Sequence, residues 1–154
     1  MKRFLIIVNE NKDPGMVMAN GIARYIDSNG GYCRMIPSTA IDLNDQVGGK
    51  RIMDCTGDVC ALVLGGDGTL VRAAASFAGT GIPMIGVNLG TLGYLCELER
   101  DTVLAAISRI MAGQFITEER MMLTGKVNGS DETGRALNDI VIHRAGRTQI
   151  MRLS

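Results

Sequence analysis

The stretch ALVLGGDGTL, residues 61–70, decides how the rest of the chain reads. An apolar run enters a glycine loop that carries a single carboxylate, Asp67, and an alanine-rich segment follows. A short apolar run bounded by glycine is the pattern of a strand buried on both faces, as in parallel sheets. Glycines after such a strand let backbone N–H groups approach phosphate oxygens. A bare carboxylate repels phosphate, so Asp67 needs a separate reason to be there.

Other segments repeat the pattern. Phe4 to Val8, Tyr32 to Ile36 and Ile82 to Val87 read as further strands. Between them, Val17, Ile22, Tyr25 and Ile26 form an apolar helical stripe entered at Pro14 and stopped at Asn29-Gly30-Gly31. Leu70 to Phe77 reads as a short helix. Asp101 is expected to cap another, in which Val103, Leu104, Ile107, Ile110 and Met111 recur before Gly113. Pro37 to Gly57 is polar and reads as a loop holding a short helical turn. This alternation predicts an α/β fold with a doubly wound parallel sheet. After Gly113, Phe115 to Val127 and Arg135 to Ile142 read as two longer antiparallel strands turning at Asn128-Gly129-Ser130. The expected division is therefore 1–113, an α/β domain, and 114–154, the incomplete opening of a β-rich domain. The strand-like end at Ser154 is read as that of a fragment.

Composition bounds the function. The 154 residues suit one core, with 46% hydrophobic and 21% charged residues. Basic and acidic residues balance at 16 each, which argues against a nucleic-acid groove or a polybasic membrane surface. Any phosphate site must be local. Glycine, at 20 residues, is about 13% of the chain against ~7% on average, in keeping with tight turns and close backbone approach to a ligand. Cys33, Cys55, Cys60 and Cys96 form no C-x-x-C pair and have only His143 as a nitrogen ligand, so reduced thiols of a cytoplasmic protein are expected rather than zinc. No apolar run approaches membrane-span length.

Two strands end in glycine loops, GGDG and GVNLGTLGYL, and in a parallel sheet both loops lie at the carboxyl edge where nucleotides bind. GGDG lacks the Gly-Lys-Ser/Thr of a Walker loop. It also misses the dinucleotide fingerprint, with Val71 where glycine or alanine should stand. Asp67 beside phosphates can bind Mg²⁺ or accept a proton from a hydroxyl that attacks phosphorus. The competing reading is a sharp strand-to-helix turn with Asp67 as a helix cap.

LGGDGTLVRAA, GIPMIGVNLGTLGYLCELE and ALNDIVIHR, in this order and spacing, resemble NAD kinase over nearly the whole chain, most weakly before Val59. The resemblance implies the NAD kinase and 6-phosphofructokinase type of sheet, followed by the first antiparallel strands of a β-rich domain. It implies transfer of a phosphoryl group from ATP, with Mg²⁺ or another divalent cation, to the 2′-hydroxyl of the adenosine ribose of NAD. Asp67 matches the family's proton acceptor, and Gly66 and Gly68 its phosphate-loop glycines. Arg72 falls near the dinucleotide, where a solvated helix arginine is the alternative. Tyr94 matches an aromatic lining the NAD pocket, with a core role as the alternative. Asn138 and Asp139 match the family's polar pair, which suits vicinal ribose hydroxyls, although adjacent strand residues need a bend to act together. His143 reads as structural or surface, and Arg147 and Gln149 stay unassigned.

The family's further glycine- and threonine-rich block, which completes the NAD site and supports oligomers, has no counterpart in this chain. The complete protein is expected to be a homo-oligomer. Two other readings stand beside the kinase. One is a non-catalytic nucleotide-binding fragment. The other is a lipid kinase of the diacylglycerol or sphingosine type, against which GGDGT continues as Leu70-Val71-Arg72-Ala73 instead of that family's Asn-Glu.

Overall fold

The computed structural model describes residues 1–47, 49–54, 58–91, 93–129 and 133–141. Strands β1 (Arg3–Val8), β2 (Tyr32–Pro37), β5 (Val59–Gly65) and β6 (Met84–Asn88) form one parallel sheet in the order β2-β1-β5-β6. Between β2 and β5, the loop expected over Pro37 to Gly57 holds a two-residue hairpin, β3 (Gln46–Val47) with β4 (Lys50–Arg51), and a 3-10 turn at Ile52–Asp54. Helices α1 (Val17–Ser28), α2 (Asp67–Phe77) and α3 (Val103–Met111) cover the sheet.

Both faces are packed, which explains the unbroken apolar runs. Alternate residues Phe4, Ile6, Val8, Leu62 and Leu64 meet Ile22 and Ile26 of α1 and Val103, Ile107 and Ile110 of α3. The intervening Leu5, Ile7, Ala61 and Val63 meet Leu70, Ala73 and Phe77 of α2, with Ile52 and Ile82 beside them. Successive strand residues point to opposite faces, so a strand between two helical layers must be apolar throughout. The sheet is doubly wound, as expected.

The strand order has a consequence for function. From β1 the chain crosses to β2 on one side, and from β5 it crosses to β6 on the other. The loops after β1 and β5 therefore diverge at the carboxyl edge and leave a crevice, the usual ligand position in an open α/β sheet.

Several local expectations differ. Val17 is 73% exposed, because two residues before buried Ala19 is the opposite side of a helix. Pro14 opens a 3-10 turn, Pro14–Met16, ahead of α1. The start of α1 is instead satisfied by buried Asp13, whose carboxylate accepts from the N–H groups of Met18 at 3.0 Å and Ala19 at 2.9 Å. Asp101 does not cap α3: Thr102 holds that position, and its hydroxyl exchanges hydrogen bonds with the Glu99 backbone.

The expected long strands after Gly113 shorten to β7 (Leu123–Lys126) and β8 (Thr133–Ala136), an antiparallel pair approached through a turn at Asn128-Gly129. Among the described residues, 115–122 have no strand partner, and β8 stops at a bend at Leu137-Asn138. Ser130 and Ile142 lie outside the described residues.

Candidate active site

Three loops meet at the carboxyl edge, after β1, β5 and β6. The first is pinned by Asn9. Its backbone N–H donates to the Leu64 carbonyl at 2.9 Å and its side-chain amide to Thr69 Oγ1 at 2.9 Å, while its own carbonyl accepts from Lys12 and Asp13. The third loop leaves β6 and returns against it. Leu98 pairs with Val87, Asn88 N–H donates to the Leu98 carbonyl at 2.7 Å, and Leu98 N–H donates to the Gly86 carbonyl at 3.1 Å.

Asp67 joins the second loop to the third. Its carboxylate accepts from the backbone N–H groups of Tyr94 at 2.7 Å, Leu95 at 3.2 Å and Cys96 at 3.2 Å. A Cβ on Gly93 would collide with all three atoms of that carboxylate, so glycine is what lets the turn fold over it. The N–H of Tyr94 above all, with those of Leu95 and Cys96, holds the Asp67 carboxyl below its ordinary range. The Cys96 thiol is pushed up to about 11, first by burial and then by that negative charge. The cap reading of Asp67 fails. Gly66 is the N-cap residue of α2, no side chain caps the helix, and Asp67 turns away toward the third loop.

The other expected residues divide. Gly66 is buried under the loops, whereas Gly68 is exposed, with open space where a side chain would project. Tyr94 contributes its backbone to Asp67, but its ring is wholly exposed and is not part of a core. Arg72 is exposed on α2, and its guanidinium has no hydrogen bond among the described residues. Asn138 and Asp139 are exposed as well, and the Asn138 amide donates to Asp139 Oδ1 at 3.3 Å across the bend. No hydrogen bond among the described residues links this pair to the glycine loops. Asn138 does share a cavity of about 620 Å³ with Leu70, Gly86 and Leu95, between β6 and the segment 115–122. His143, Arg147 and Gln149 lie outside the described residues.

The structure adds Lys12 and Arg100. The Lys12 ammonium lies against both glycine loops: a Cβ on Gly66 would stand 2.7 Å from Nζ, and one on Gly90 2.9 Å. Arg100 donates to the carbonyls of Leu89 at 3.1 Å and Lys12 at 3.5 Å, clasping the first loop to the third. Parallel strands send every following loop to the same edge. The polar NENKDPG after β1 was thus the available signal for Lys12.

Residues 53–115 match the family described as ATP-NAD kinase N-terminal domain. The NAD kinase of Agathobacter rectalis is 46% identical over all of this chain and 54% of its own length, and that of Lachnoclostridium phytofermentans is 34% identical over all of this chain and 55% of its own. Over its whole length the chain is similar to NAD kinases. It spans about half the length of the curated NAD kinases it matches. A yeast NADH kinase, crystallised with NADH, shares the fold over 88% of this chain and 46% of that one, with a TM-score of 0.54 and 15% identity. The matched stretch 53–115 holds the second and third loops, while Lys12 precedes it and Asn138-Asp139 follow it. Among the described residues no helix is long and apolar enough to cross a membrane, and no three metal-ligating side chains gather.

Proposed function

We propose that this chain supplies the glycine-loop half of an NAD kinase, which moves the terminal phosphoryl group of ATP to the 2′-hydroxyl of the adenosine ribose of NAD and so makes NADP. The observation that supports it is the joining of two glycine loops through Asp67 at the crevice edge of a parallel sheet. Gly66 and Gly68 present backbone to the phosphates, and Asp67 receives the proton of the attacking hydroxyl. A carboxylate held strongly ionised is a weak base, but a loose phosphoryl-transfer transition state needs little early proton removal. Tyr94, Asn138 and Asp139 line the NAD side, and Arg72 stands near the dinucleotide. The cavity shared by Leu95 and Asn138 gives that side room.

The described residues do not form a cage for a divalent cation, and Asp67 already accepts several donors. Mg²⁺ would accordingly arrive with the phosphates of ATP, as Mg²⁺ commonly does. We place the protein in the cytoplasm as a homo-oligomer, with residues 1–113 as the α/β domain and 114–154 as the start of the NAD-binding one.

A second reading of Asp67 has its own support: three backbone N–H donors suit a purely structural tie. The turnover of Asp67→Asn separates the two. The functional proposal is tested by expressing the complete natural reading frame and following NADP in an NADP-specific cycling assay. Time-dependent NADP from NAD and a phosphoryl donor is expected. Its absence with ATP, other triphosphates and polyphosphate alike would rule the proposal out.

A further inference from the structure

We propose that Lys12 is the cation that receives the phosphate chain of the phosphoryl donor, an inference that rests on the phosphotransferase reading above. Its place follows from topology. The loop after β1 and the loop after β5 flank the crevice opened where the chain winds in opposite directions, and Lys12 sits in the first of them.

The loop is held in place before any ligand arrives. Lys12 N–H donates to the Asn9 carbonyl at 2.9 Å, Asn9 is fastened to Leu64 and Thr69, and Arg100 grips the Lys12 carbonyl from the far side. The side chain then runs over bare glycine backbone. Nζ lies so close to Gly66 and Gly90 that a methyl group on either would displace it. The two glycines that suit close approach of phosphate are the two that let this ammonium in.

No described carboxylate neutralises it. Among the described residues Lys12 forms no salt bridge and donates no side-chain hydrogen bond. The acidic neighbours are committed elsewhere: buried Asp13 to the start of α1, and Asp67 to the turn at Tyr94–Cys96. A half-buried ammonium without a counter-ion is a waiting partner for an anion, and lysine serves phosphate as a compact point charge. With a chain of zero net charge, a local cation of this kind is what attracts a polyanion. Lys12 thus binds phosphate, while Asp67, on the next loop, faces the acceptor.

The test uses the protein from its complete natural reading frame, with inorganic tripolyphosphate as a probe that carries no nucleoside. Lys12→Met should raise the KM for ATP by roughly 10- to 100-fold, as expected for loss of a charge-assisted contact, and leave the KM for NAD within about twofold. Tripolyphosphate binding, measured by titration calorimetry, should weaken to the same degree, and Lys12→Arg should restore most of it. If Lys12→Met fails to fold, Gly90→Ala decides, because its methyl group meets only the flexible end of Lys12 and should weaken tripolyphosphate binding by roughly 3- to 10-fold. Unchanged ATP KM and tripolyphosphate affinity in Lys12→Met, or unchanged affinity in Gly90→Ala, overturns the inference while NADP formation keeps the enzyme reading intact. Lys12-dependent tripolyphosphate binding without NADP formation has the opposite meaning: the anion site stands and the kinase reading falls.

Discussion

The sheet and the segment after Gly113 are built from similar strand-forming residues and end in different states. In β1 and β5 every residue from Phe4 to Val8 and from Val59 to Gly65 is buried, because helices cover both faces. In β7 and β8 the residues are exposed or half-buried, and Phe115, Ile116, Met121, Val127, Ile140 and Val141 stand in the open. The proposed site straddles this divide. The Asp67 carboxylate and the Lys12 backbone are fixed by hydrogen bonds on the packed side, whereas Asn138 and Asp139 touch each other across an exposed bend. Within the proposed site, the preorganised groups are those mounted on the sheet.

The largest expected effect tests the packed side. Asp67→Asn, in the complete enzyme, should lower turnover by roughly 10²–10⁴ while NAD binding stays largely intact. An amide cannot accept everywhere a carboxylate does, so the variant should also melt earlier. Lost melting temperature with near-normal turnover in the folded fraction would leave Asp67 only as a tie between loops.

Packing gives the next effect. Leu62→Ala removes a fully buried side chain from the face under α1 and α3 and should destabilise by about 2–5 kcal/mol. Ile116→Ala, at a residue 98% exposed, should stay within about 0.5 kcal/mol. Denaturant titration of both variants checks the pair, and similar losses would erase the distinction between the two regions.

On the loose side, Asp139→Ala should raise the KM for NAD more than it lowers turnover, by roughly 5- to 20-fold, because ribose contacts mainly bind. Calorimetry showing unchanged NAD affinity would remove Asp139 from the site.

The smallest effect is a pH dependence. Hydrogen bonds from Tyr94, Leu95 and Cys96 hold the folded Asp67 carboxyl below its unfolded value of about 3.9. The stability it adds is thus complete above that value and disappears as pH falls through the folded one. Unfolding profiles of the wild type and Asp67→Asn should differ by a constant amount above about pH 5 and converge below about pH 4.

How far the sequence could be read follows from the same contrast. Runs such as Phe4 to Val8 and Val59 to Leu64 leave few readings for a buried strand, and the glycines around Asp67 announced a backbone-lined site. The partners of Asp67 did not announce themselves, since the first lies 27 residues downstream and is a backbone N–H, which any residue carries. For Lys12 the polar loop after β1 gave only a general signal, because the position of that loop at the crevice depends on strand order, which no local pattern encodes. The expected strands after Gly113 are longer than β7 and β8 because apolar alternation signals a tendency to pair, while pairing itself needs a partner, and among the described residues 115–122 have none.

Amide hydrogen exchange tests most directly whether the loops of the proposed site share the rigidity of the sheet. Amides of Tyr94, Leu95 and Cys96 should exchange nearly as slowly as those of β5, although they lie in a loop, and Asp67→Asn should release them. Those of Leu123–Lys126 and Thr133–Ala136, in a hairpin with little burial, should open well before the sheet. Fast exchange at Tyr94–Cys96 in the wild type, matching β7 and β8, would contradict the account.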